Sequence, residues 1–536
     1  MATATSYALA GRVVTMAANA TPLKRGVVYV TDNTIVDVRD ASVAPPDGFG
    51  SMPVLQTRGT IYPGLIELHN HLSYNALPLW QVPKTYTNRD QWSVPPLYRK
   101  LISGPMKILG TTAGLPESIV RYAEAKCLLG GTTTSQGIAL YSNAGIRRYY
   151  FGASRNVEAS KDPALPNAVT RIPDIDAKDA SKFQARQLQA AKKGASVILH
   201  LSEGKDPIAE THFQALHLGT GEWAIERSLA GIHCVSLTRA DHDVLASKGA
   251  SMVWSPLSNL LLYGQTADIA AARAAGVRVG IGSDWSPSGS KNLLFELRVA
   301  RLVAQTTGGI PDRDLLAMAT INAAGILGWD KLLGSLEKGK RADLIVVNDQ
   351  THDPYEHLFH SAESDMALVV IDGVARAGSE RLMTALGQGR ATERVRVGST
   401  TRLLDLAQDD VDPGIANLSL ADATVRLRDG LHRLPELAKL MTGVAFKPPP
   451  VRLELDHEEI PGMSIRPELP DTHGRPTGQL PVPPAGLAGA SIPLADLLEP
   501  IDLDPLTVVD DDDYLDILSK EMNLPPGLAT AIGQLG

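Results

Sequence analysis

The sequence predicts an α/β protein built around a (β/α)8 barrel of the TIM type, on three observations. Between residues 61 and 333, eight short apolar runs alternate with longer stretches that favour helix, a pattern typical of a parallel sheet. Eight such units over this length match the size of a closed barrel rather than an open sheet. Histidine and acidic residues lie at the ends of several of the runs.

The eight predicted barrel strands are short apolar runs bounded by turn residues. They are residues 61–68, 132–135, 148–152, 168–172, 196–201, 231–236, 251–254 and 277–282. The stretches between them contain good helix formers, as at residues 180–193 and 268–275. Because strands joined by helices run parallel, their carboxyl ends meet at one face, and we expect the active site there.

Two β-rich segments flank the predicted barrel, which spans residues 61–333. Runs of β-branched residues separated by turns predict that residues 1–60 and 334–384 pair as one composite β-sandwich domain. The remaining residues, 385–536, form a Pro-rich extension with short helices. We expect this extension either to cover the barrel mouth or bridge subunits, or to be a detachable segment that binds a partner.

The composition is that of a globular protein, with 44% hydrophobic and 21% charged residues among 536 and a net charge of -8. This mild acidity argues against nucleic acid as a partner, since phosphate binding requires a concentrated basic face. The start of the chain lacks the pattern of a secretory signal, and no apolar run is long enough to span a bilayer. The two cysteines, Cys127 and Cys234, lie in apolar runs, so we expect reduced thiols and a cytoplasmic protein.

His69 and His71 directly follow the first predicted strand. Alternate side chains of an extended chain point the same way, so both imidazoles can converge on one point as half of a metal site. His200, His233 and Asp284 lie at or near the ends of the fifth, sixth and eighth predicted strands. Each alone is more often structural than functional, but together they predict a metal centre at the carboxyl face of the barrel.

Six stretches of the chain are similar to motifs of one enzyme family. They are residues 63–71 (PGLIELHNH), 128–134 (LLGGTTT), 200–203 (HLSE), 255–259 (SPLSN), 282–284 (GSD) and 334–344 (GSLEKGKRADL). On these motifs the chain resembles the amidohydrolase superfamily, in the branch of cytosine and guanine deaminases and triazine chlorohydrolases, over residues 6–378. The family often has Asp where this chain has Glu67, a position that is not a metal ligand.

The resemblance implies a site for one divalent metal ion with the ligands His69, His71, His200 and Asp284. It also implies that His233 lies beside the metal-bound water and that Glu203 is the acid/base carboxylate. The simpler alternative for Glu203 is a carboxylate stabilised by the dipole of a helix start. Nitrogen and oxygen ligands suit Zn, the expected metal, and also Fe or Mn.

The number of metal ions follows from the fourth predicted strand. Dinuclear members of the superfamily use a carboxylated lysine there, and residues 168–172 contain no lysine, although Lys161 lies nearby. This favours a single metal ion.

Substrate contacts are predicted from the long connection at residues 72–114 and from residues that follow the seventh and eighth strands. Loops on this face often form pocket walls, although simple packing explains any one of these side chains equally well. The predicted contacts are Tyr74, Trp80, Trp92, Trp254, Asn259, Trp285 and Ser288.

Together these features predict a metal-dependent hydrolase of the aminohydrolase or deaminase type, which cleaves a non-peptide C–N bond by attack of metal-bound hydroxide. Asp284 would act as ligand and base, and Glu203 would move a proton to the leaving nitrogen. An amidase or lactamase acting on a larger amide is the alternative, dechlorination ranks third, and a non-catalytic scaffold is a remote alternative. The expected partner is a small-molecule substrate, with neither nucleic acid nor membrane, and the superfamily suggests a homo-oligomer.

Overall fold

The computed structural model describes residues 5–93, 96–138, 146–150, 152–219, 221–349, 353–387, 389–408, 412–442 and 492–535. Within these residues the strands are, in chain order, β1 Ser6–Val13, β2 Leu23–Thr31, β3 Thr34–Asp40, β4 Val54–Pro63, β5 Leu65–Glu67, β6 Thr132–Ser135, β7 Arg155–Asn156, β8 Val169–Arg171, β9 Val197–Leu201, β10 His217–Gly219, β11 Glu222–Trp223, β12 Leu229–His233, β13 Ser251–Trp254, β14 Arg278–Ile281, β15 Leu344–Asn348, β16 Met366–Ile371, β17 Val374–Gly378, β18 Glu393–Val397 and β19 Thr400–Leu404.

The α-helices of the same residues follow in chain order. They are α1 Arg89–Trp92, α2 Pro96–Tyr98, α3 Gly104–Thr111, α4 Leu115–Leu129, α5 Ala180–Lys192, α6 Pro207–Gln214, α7 Arg239–Ser247, α8 Pro256–Tyr263, α9 Ile269–Ala275, α10 Leu293–Thr306, α11 Asp312–Met318, α12 Ile321–Leu327, α13 Glu380–Leu386, α14 Pro413–Ala416, α15 Leu420–His432, α16 Leu434–Thr442, α17 Leu494–Leu497, α18 Tyr514–Ser519 and α19 Pro526–Gly533.

Eight parallel strands form the central part of the fold, in the orders β5-β6-β7 and β8-β9-β12-β13-β14. Strands β6, β9, β12 and β13 are buried along their whole length, which is typical of a parallel sheet covered on both faces. Backbone hydrogen bonds also join the two sheets: Leu68 N donates to Ile281 O over 3.2 Å, and Ala168 N donates to Val157 O over 2.7 Å. The fold is therefore α/β of the TIM-barrel type, as the sequence predicted.

The first predicted barrel strand, residues 61–68, is divided between two sheets. Residues up to Pro63 end β4, which belongs to a separate sheet, and the barrel strand β5 begins only at Leu65. Gly64 allows this division because a Cβ atom at that position would lie 2.3 Å from the Thr133 hydroxyl oxygen. A continuous apolar run in the sequence thus concealed a change of sheet.

The third predicted barrel strand, residues 148–152, is wrong. Ile146–Tyr149 form a 3-10 helix, residue 151 lies outside the described residues, and the barrel strand at this place is β7. Arg148 is exposed beside the buried Tyr149 and Tyr150, which a helical turn permits and a barrel strand covered on both faces does not. Strand β7 has two residues, too few to show a periodic pattern.

A nine-stranded sheet draws on both halves of the chain, in the order β18-β19-β17-β16-β15-β4-β1-β2-β3. The two halves meet where β4 pairs antiparallel with β15, with Tyr62 opposite Ile345. The pairing of residues 1–60 with residues after 334 is therefore present. The sheet also extends past residue 384, because the hairpin β18–β19 joins β17 through Leu404 and Ala377.

An ion pair joins this sheet to the barrel. Arg155 at the end of β7 donates to Asp343 beside β15, and its second terminal nitrogen lies 2.6 Å from Asp372. The side chains of Arg155 and Asp343 are only 4% and 5% exposed. A buried pair of this kind is costly to break, because each charge has lost its water.

Replacing Arg155 with methionine is expected to lower the free energy of unfolding by about 3–5 kcal/mol, because Asp343 would remain buried without a counter-ion. Urea unfolding followed by circular dichroism measures the change. The matched control is Arg394→Met, which breaks a surface pair with Glu380 whose side chains are 62% and 60% exposed. We expect the control to change stability by less than about 1 kcal/mol, and equal losses in both variants would contradict the assignment.

The described residues after 404 pack onto the barrel helices. Helix α15 lies along α4, and Arg121 of α4 donates to Ile415 O over 2.6 Å and to Leu406 O over 2.9 Å. Cys127 and Cys234 are buried free thiols. Among the helices of the described residues, none combines the length and apolar character that a membrane span requires.

Candidate metal centre and active site

Three candidate ligands lie side by side just after strands β5 and β14. His69 and His71 follow β5, and their backbone pairs with Asp284: Asp284 N donates to His69 O over 3.0 Å, and His71 N donates to Asp284 O over 2.7 Å. This pairing extends the parallel ladder by an Asn70–Asp284 bridge, so Asn70 points away from the two imidazoles. The alternation predicted from the sequence is therefore what brings His69 and His71 to the same face.

The ligand atoms of the predicted metal site converge on one small volume. His69 Nε2 lies 3.2 Å from His200 Nε2 and 3.4 Å from Asp284 Oδ1, and His71 Nε2 lies 3.3 Å from the same carboxylate oxygen. His69 and His200 also form a close group with His233. All of these side chains are buried, the most exposed being His71 at 6%.

Three of the imidazoles are oriented through their other ring nitrogen. His69 Nδ1 lies 2.7 Å from Ser255 Oγ, and His233 Nδ1 lies 2.8 Å from Asn259 Oδ1. His200 Nδ1 lies 3.3 Å from the carbonyl oxygen of Arg171. Such contacts fix the ring orientation and leave Nε2 free for a metal ion, which is the usual arrangement around metal-binding histidines.

The electrostatic environment favours the protonation states that metal ligands require. Burial, reinforced by the neighbouring imidazoles, holds the pKa of His69 and of His200 well below the usual value for histidine. Burial would raise the pKa of Asp284, but the hydrogen bond and charge of His71 outweigh burial and lower it. Neutral imidazoles and an ionised carboxylate are the forms that bind a divalent metal.

The backbone around the site is strained at three strand ends. Ser202, His233 and Asp284 have φ values of 52°, 65° and 66°, in the left-handed region that residues other than glycine seldom adopt. Each of these conformations costs free energy and persists only where the surrounding structure enforces it. They turn Glu203, His233 and Asp284 towards the common centre.

Glu203 lies at the centre of a second group of contacts. Its Oε2 is 3.6 Å from His233 Nε2 and 3.6 Å from Arg89 Nε, and its Oε1 accepts a 2.6 Å hydrogen bond from the Tyr263 hydroxyl. Tyr263 in turn accepts a 2.8 Å hydrogen bond from the indole of Trp92. A carboxylate 2% exposed, held between a hydroxyl and an imidazole, is suited to move protons within a site closed to bulk water.

Helix α8 supports the site with residues whose roles the sequence did not reveal. Ser258 donates a 2.6 Å hydrogen bond to Asp284 Oδ2, Asn259 orients His233, and Tyr263 orients Glu203. Asn259 and Tyr263 are four residues apart and share a helix face, a spacing that could have signalled this role. Glu67 has a structural role, because its carboxylate oxygens accept hydrogen bonds from Ser283 and from Ser135 (3.1 Å).

The residues predicted to contact substrate fall into two groups. Tyr74 and Trp92 flank Trp285, whose ring centroid lies 5.6 Å from that of His71. The other predicted contact residues have partners within the protein. Trp80 packs on Tyr86 and Tyr98, Trp254 donates to Thr266, Asn259 contacts His233, and Ser288 accepts from the Trp285 indole.

The fourth barrel strand carries no lysine, as predicted. Strand β8 is Val169–Arg171, and Lys161 is exposed in the preceding loop.

Comparisons with known proteins show which family the chain resembles. A sequence profile described as the amidohydrolase family matches residues 154–376. A 5-methylthioadenosine/S-adenosylhomocysteine deaminase from Desulforudis audaxviator (strain MP104C) is 27% identical over 384 residues, which are 64% of this chain and 87% of that protein. A 5'-deoxyadenosine deaminase from Methanosarcina mazei is 24% identical over 420 residues, 69% of this chain and 92% of that protein. The chain is therefore similar to the amidohydrolase family over residues 154–376, and the relatives it matches along most of their length are deaminases.

Solved structures of the superfamily share the fold. An adenosine deaminase from Xanthomonas campestris, crystallised with bound zinc, aligns with a TM-score of 0.58 at 18% identity over 80% of this chain and 98% of that one. An atrazine chlorohydrolase from Arthrobacter aurescens TC1, complexed with zinc and atraton, aligns with a TM-score of 0.57 at 21% identity over 69% and 94%. These likenesses show that the chain shares the fold of these two enzymes.

Proposed function

We propose that the chain is a metal-dependent hydrolase of deaminase type, which cleaves a C–N bond other than a peptide bond in a small-molecule substrate. The observation that carries this proposal is the convergence of His69, His71, His200 and Asp284 directly beside the buried pair His233 and Glu203. A structural metal site would have no need of a buried carboxylate and imidazole next to the ligands. The deaminases among its relatives support the same reaction class.

The donor set fits one divalent metal ion, and zinc is the ion we propose. His69, His71 and Asp284 form one close group of possible ligands, His200 joins it through His69 at 3.2 Å, and the carboxylate pKa is lowered. When bound, such an ion lowers the pKa of a coordinated water to about 7 and so supplies a nucleophile at neutral pH. Bound zinc in the Xanthomonas deaminase structure supports the choice of metal.

The proton steps are assigned to this chain's own side chains. We assign to Glu203 the removal of a proton from the attacking water and its delivery to the leaving nitrogen, so that water and substrate become a hydroxylated product and an amine or ammonia. Tyr263 and Arg89 hold the carboxylate in place for both steps. His233, fixed by Asn259, faces the same carboxylate and would donate to the group under attack.

The substrate class we propose is a planar amino-heterocycle. Trp285 packs against His71, and Tyr74 and Trp92 pack against Trp285, so a group of aromatic rings lies beside the centre, where it would suit a flat ring. Among the relatives, the deaminases named for 5-methylthioadenosine and 5'-deoxyadenosine are consistent with this class.

The test is ammonia release by the full chain loaded with zinc, from a panel of aminopurine nucleosides, aminopyrimidines and aminotriazines, with simple aryl amides as the contrasting set. We expect ammonia from at least one amino-heterocycle and no amine from the amides. Amide cleavage alone would replace this proposal with the amidase alternative, and no hydrolysis by metal-loaded protein from either set would overturn it.

We also propose the finer organisation that the sequence predicts. The nine-stranded sheet would fold as a composite β-sandwich. The eight parallel strands between residues 61 and 333 would close into a barrel through the backbone hydrogen bonds that Leu68 and Ala168 donate. The described residues after 404 would act as a cover rather than a detachable segment. A cytoplasmic homo-oligomer is proposed with them, and size-exclusion chromatography with light scattering tests the oligomeric state.

A further inference from the structure

A cluster of buried charges joins the C-terminal residues to the barrel close to the metal centre. Asp504 lies between Lys126 of α4 and Lys291, which precedes α10, and each of the three residues is 1% exposed. Lys126 Nζ lies 2.5 Å from Asp504 Oδ2, and Lys291 Nζ contacts the other carboxylate oxygen. Asp504 lies well beyond residue 378, where the resemblance to the superfamily motifs ends.

The charges of this cluster depend on one another. Lys291 also lies 2.8 Å from Asp511, so two ammonium groups face two carboxylates. Burial lowers the pKa of Lys126 to about 8, while the two lysines outweigh burial and hold the pKa of Asp504 below its usual value. At neutral pH both partners are charged, and removing Asp504 leaves two buried ammonium groups with one carboxylate.

Lys126 connects Asp504 to the two loops that hold the proposed metal ligands. Besides Asp504, its ammonium group donates to Asn75 O over 2.8 Å, in the loop after β5, and to Ser286 Oγ over 3.1 Å, in the loop after β14. The backbone of Asp504 contacts the first of these loops directly, because its N–H donates to Ala76 O over 3.1 Å. Asp504 therefore contacts the loop after β5 directly, and through Lys126 it is connected to both ligand loops.

Asn75 completes the connection to the ligands. Its Oδ1 accepts from Ser286 N over 2.9 Å, and its Nδ2 donates to Asn70 Oδ1 over 2.9 Å. Asn70 stands between His69 and His71, and Ser286 is two residues from Asp284. Asn75, whose carbonyl oxygen accepts from Lys126, therefore adds side-chain hydrogen bonds between the two ligand loops to the direct backbone pairing of His69 and His71 with Asp284.

We propose that Asp504 is a positioning residue for the metal centre: by holding Lys126 against Asn75 and Ser286, it fixes the loop of His69 and His71 relative to Asp284. The inference rests on the metal site of the proposed function. It assigns to the C-terminal segment a part in completing that site.

The test compares full-length Asp504→Asn with wild type and with Asp512→Asn, an exposed carboxylate in the same segment. Each metal-free protein is titrated with Co2+, whose visible absorption reports ligand geometry, and kcat and KM are then measured with zinc. For Asp504→Asn we expect Co2+ affinity lower by about tenfold or more, an altered absorption band, and a reduced kcat with little change in KM. We expect Asp512→Asn to match wild type.

A double variant separates positioning from charge burial. Asp504→Asn with Lys126→Met removes one charge of each sign, so it should fold even if Asp504→Asn alone does not, yet it lacks the contact to Asn75 and Ser286. We expect its Co2+ affinity and absorption to stay impaired. Wild-type affinity and absorption in the double variant would overturn the inference, as would a loss of stability in Asp504→Asn with unchanged Co2+ binding. A wild-type chain that binds no Co2+ would overturn the proposed function and this inference with it.

Discussion

Replacing Asp284 with asparagine is expected to lower kcat by on the order of 10⁴-fold or more, because the proposed site would lose its single anionic ligand. The Asp284 carboxylate lies 3.3–3.4 Å from the Nε2 atoms of His71 and His69, and Ser258 donates to its other oxygen. An asparagine amide can keep the Ser258 contact but not the charge. Steady-state kinetics and metal analysis of the purified protein measure the effect.

The matched control is Asp243→Asn, since Asp243 is 55% exposed in a surface pair with Arg239. It should retain full activity and one equivalent of metal. Chelation of wild-type protein should reproduce the Asp284→Asn loss, and added zinc should reverse it. If the Asp284→Asn protein kept more than about a tenth of wild-type activity, Asp284 would not be part of the catalytic centre.

Replacing Glu203 with glutamine is expected to lower kcat by about 10²–10⁴-fold while metal content stays at the wild-type level. The carboxylate is buried beside His233 but is not among the groups that converge on the metal, so its loss removes proton transfer alone. The amide preserves the size of the side chain and can still accept from Tyr263. Activity together with metal content therefore distinguishes a proton carrier from a ligand.

Tyr263→Phe provides a graded comparison for Glu203. It removes one hydrogen bond to the carboxylate and should lower kcat by roughly tenfold, again with full metal content. If Glu203→Gln lost no more activity than Tyr263→Phe, the carboxylate of Glu203 would have a structural role and would not transfer protons. Loss of metal in Glu203→Gln would instead make it a ligand.

The clustering of the predicted metal ligands could be foreseen from the sequence because it depends on local regularities. His69 and His71 share a face through strand alternation, and His200, His233 and Asp284 mark strand ends that any parallel barrel brings together. The geometry then follows from the fold and needs no knowledge of individual loops.

The supporting contacts depend on tertiary structure and had no comparable signal. Ser255 meets His69 across 186 residues, and Tyr263 meets Glu203 across 60. Arg89 lies in a long loop whose path no periodicity describes. The two-residue strand β7 and the change of sheet at Gly64 were missed or misjudged for the same reason, since neither leaves a pattern in a short window.

The Asp504 cluster has a consequence for how the protein is made. Asp504 lies 378 residues after Lys126 and 213 after Lys291. A ribosome adding about 5–20 residues per second needs roughly 20 to 75 seconds to cover the longer interval. Lys126 must stay in contact with water throughout that interval, and Lys291 through its last 213 residues, so the surface they occupy cannot close. The interior around these two lysines is therefore expected to lose its water only after residue 504 has been added.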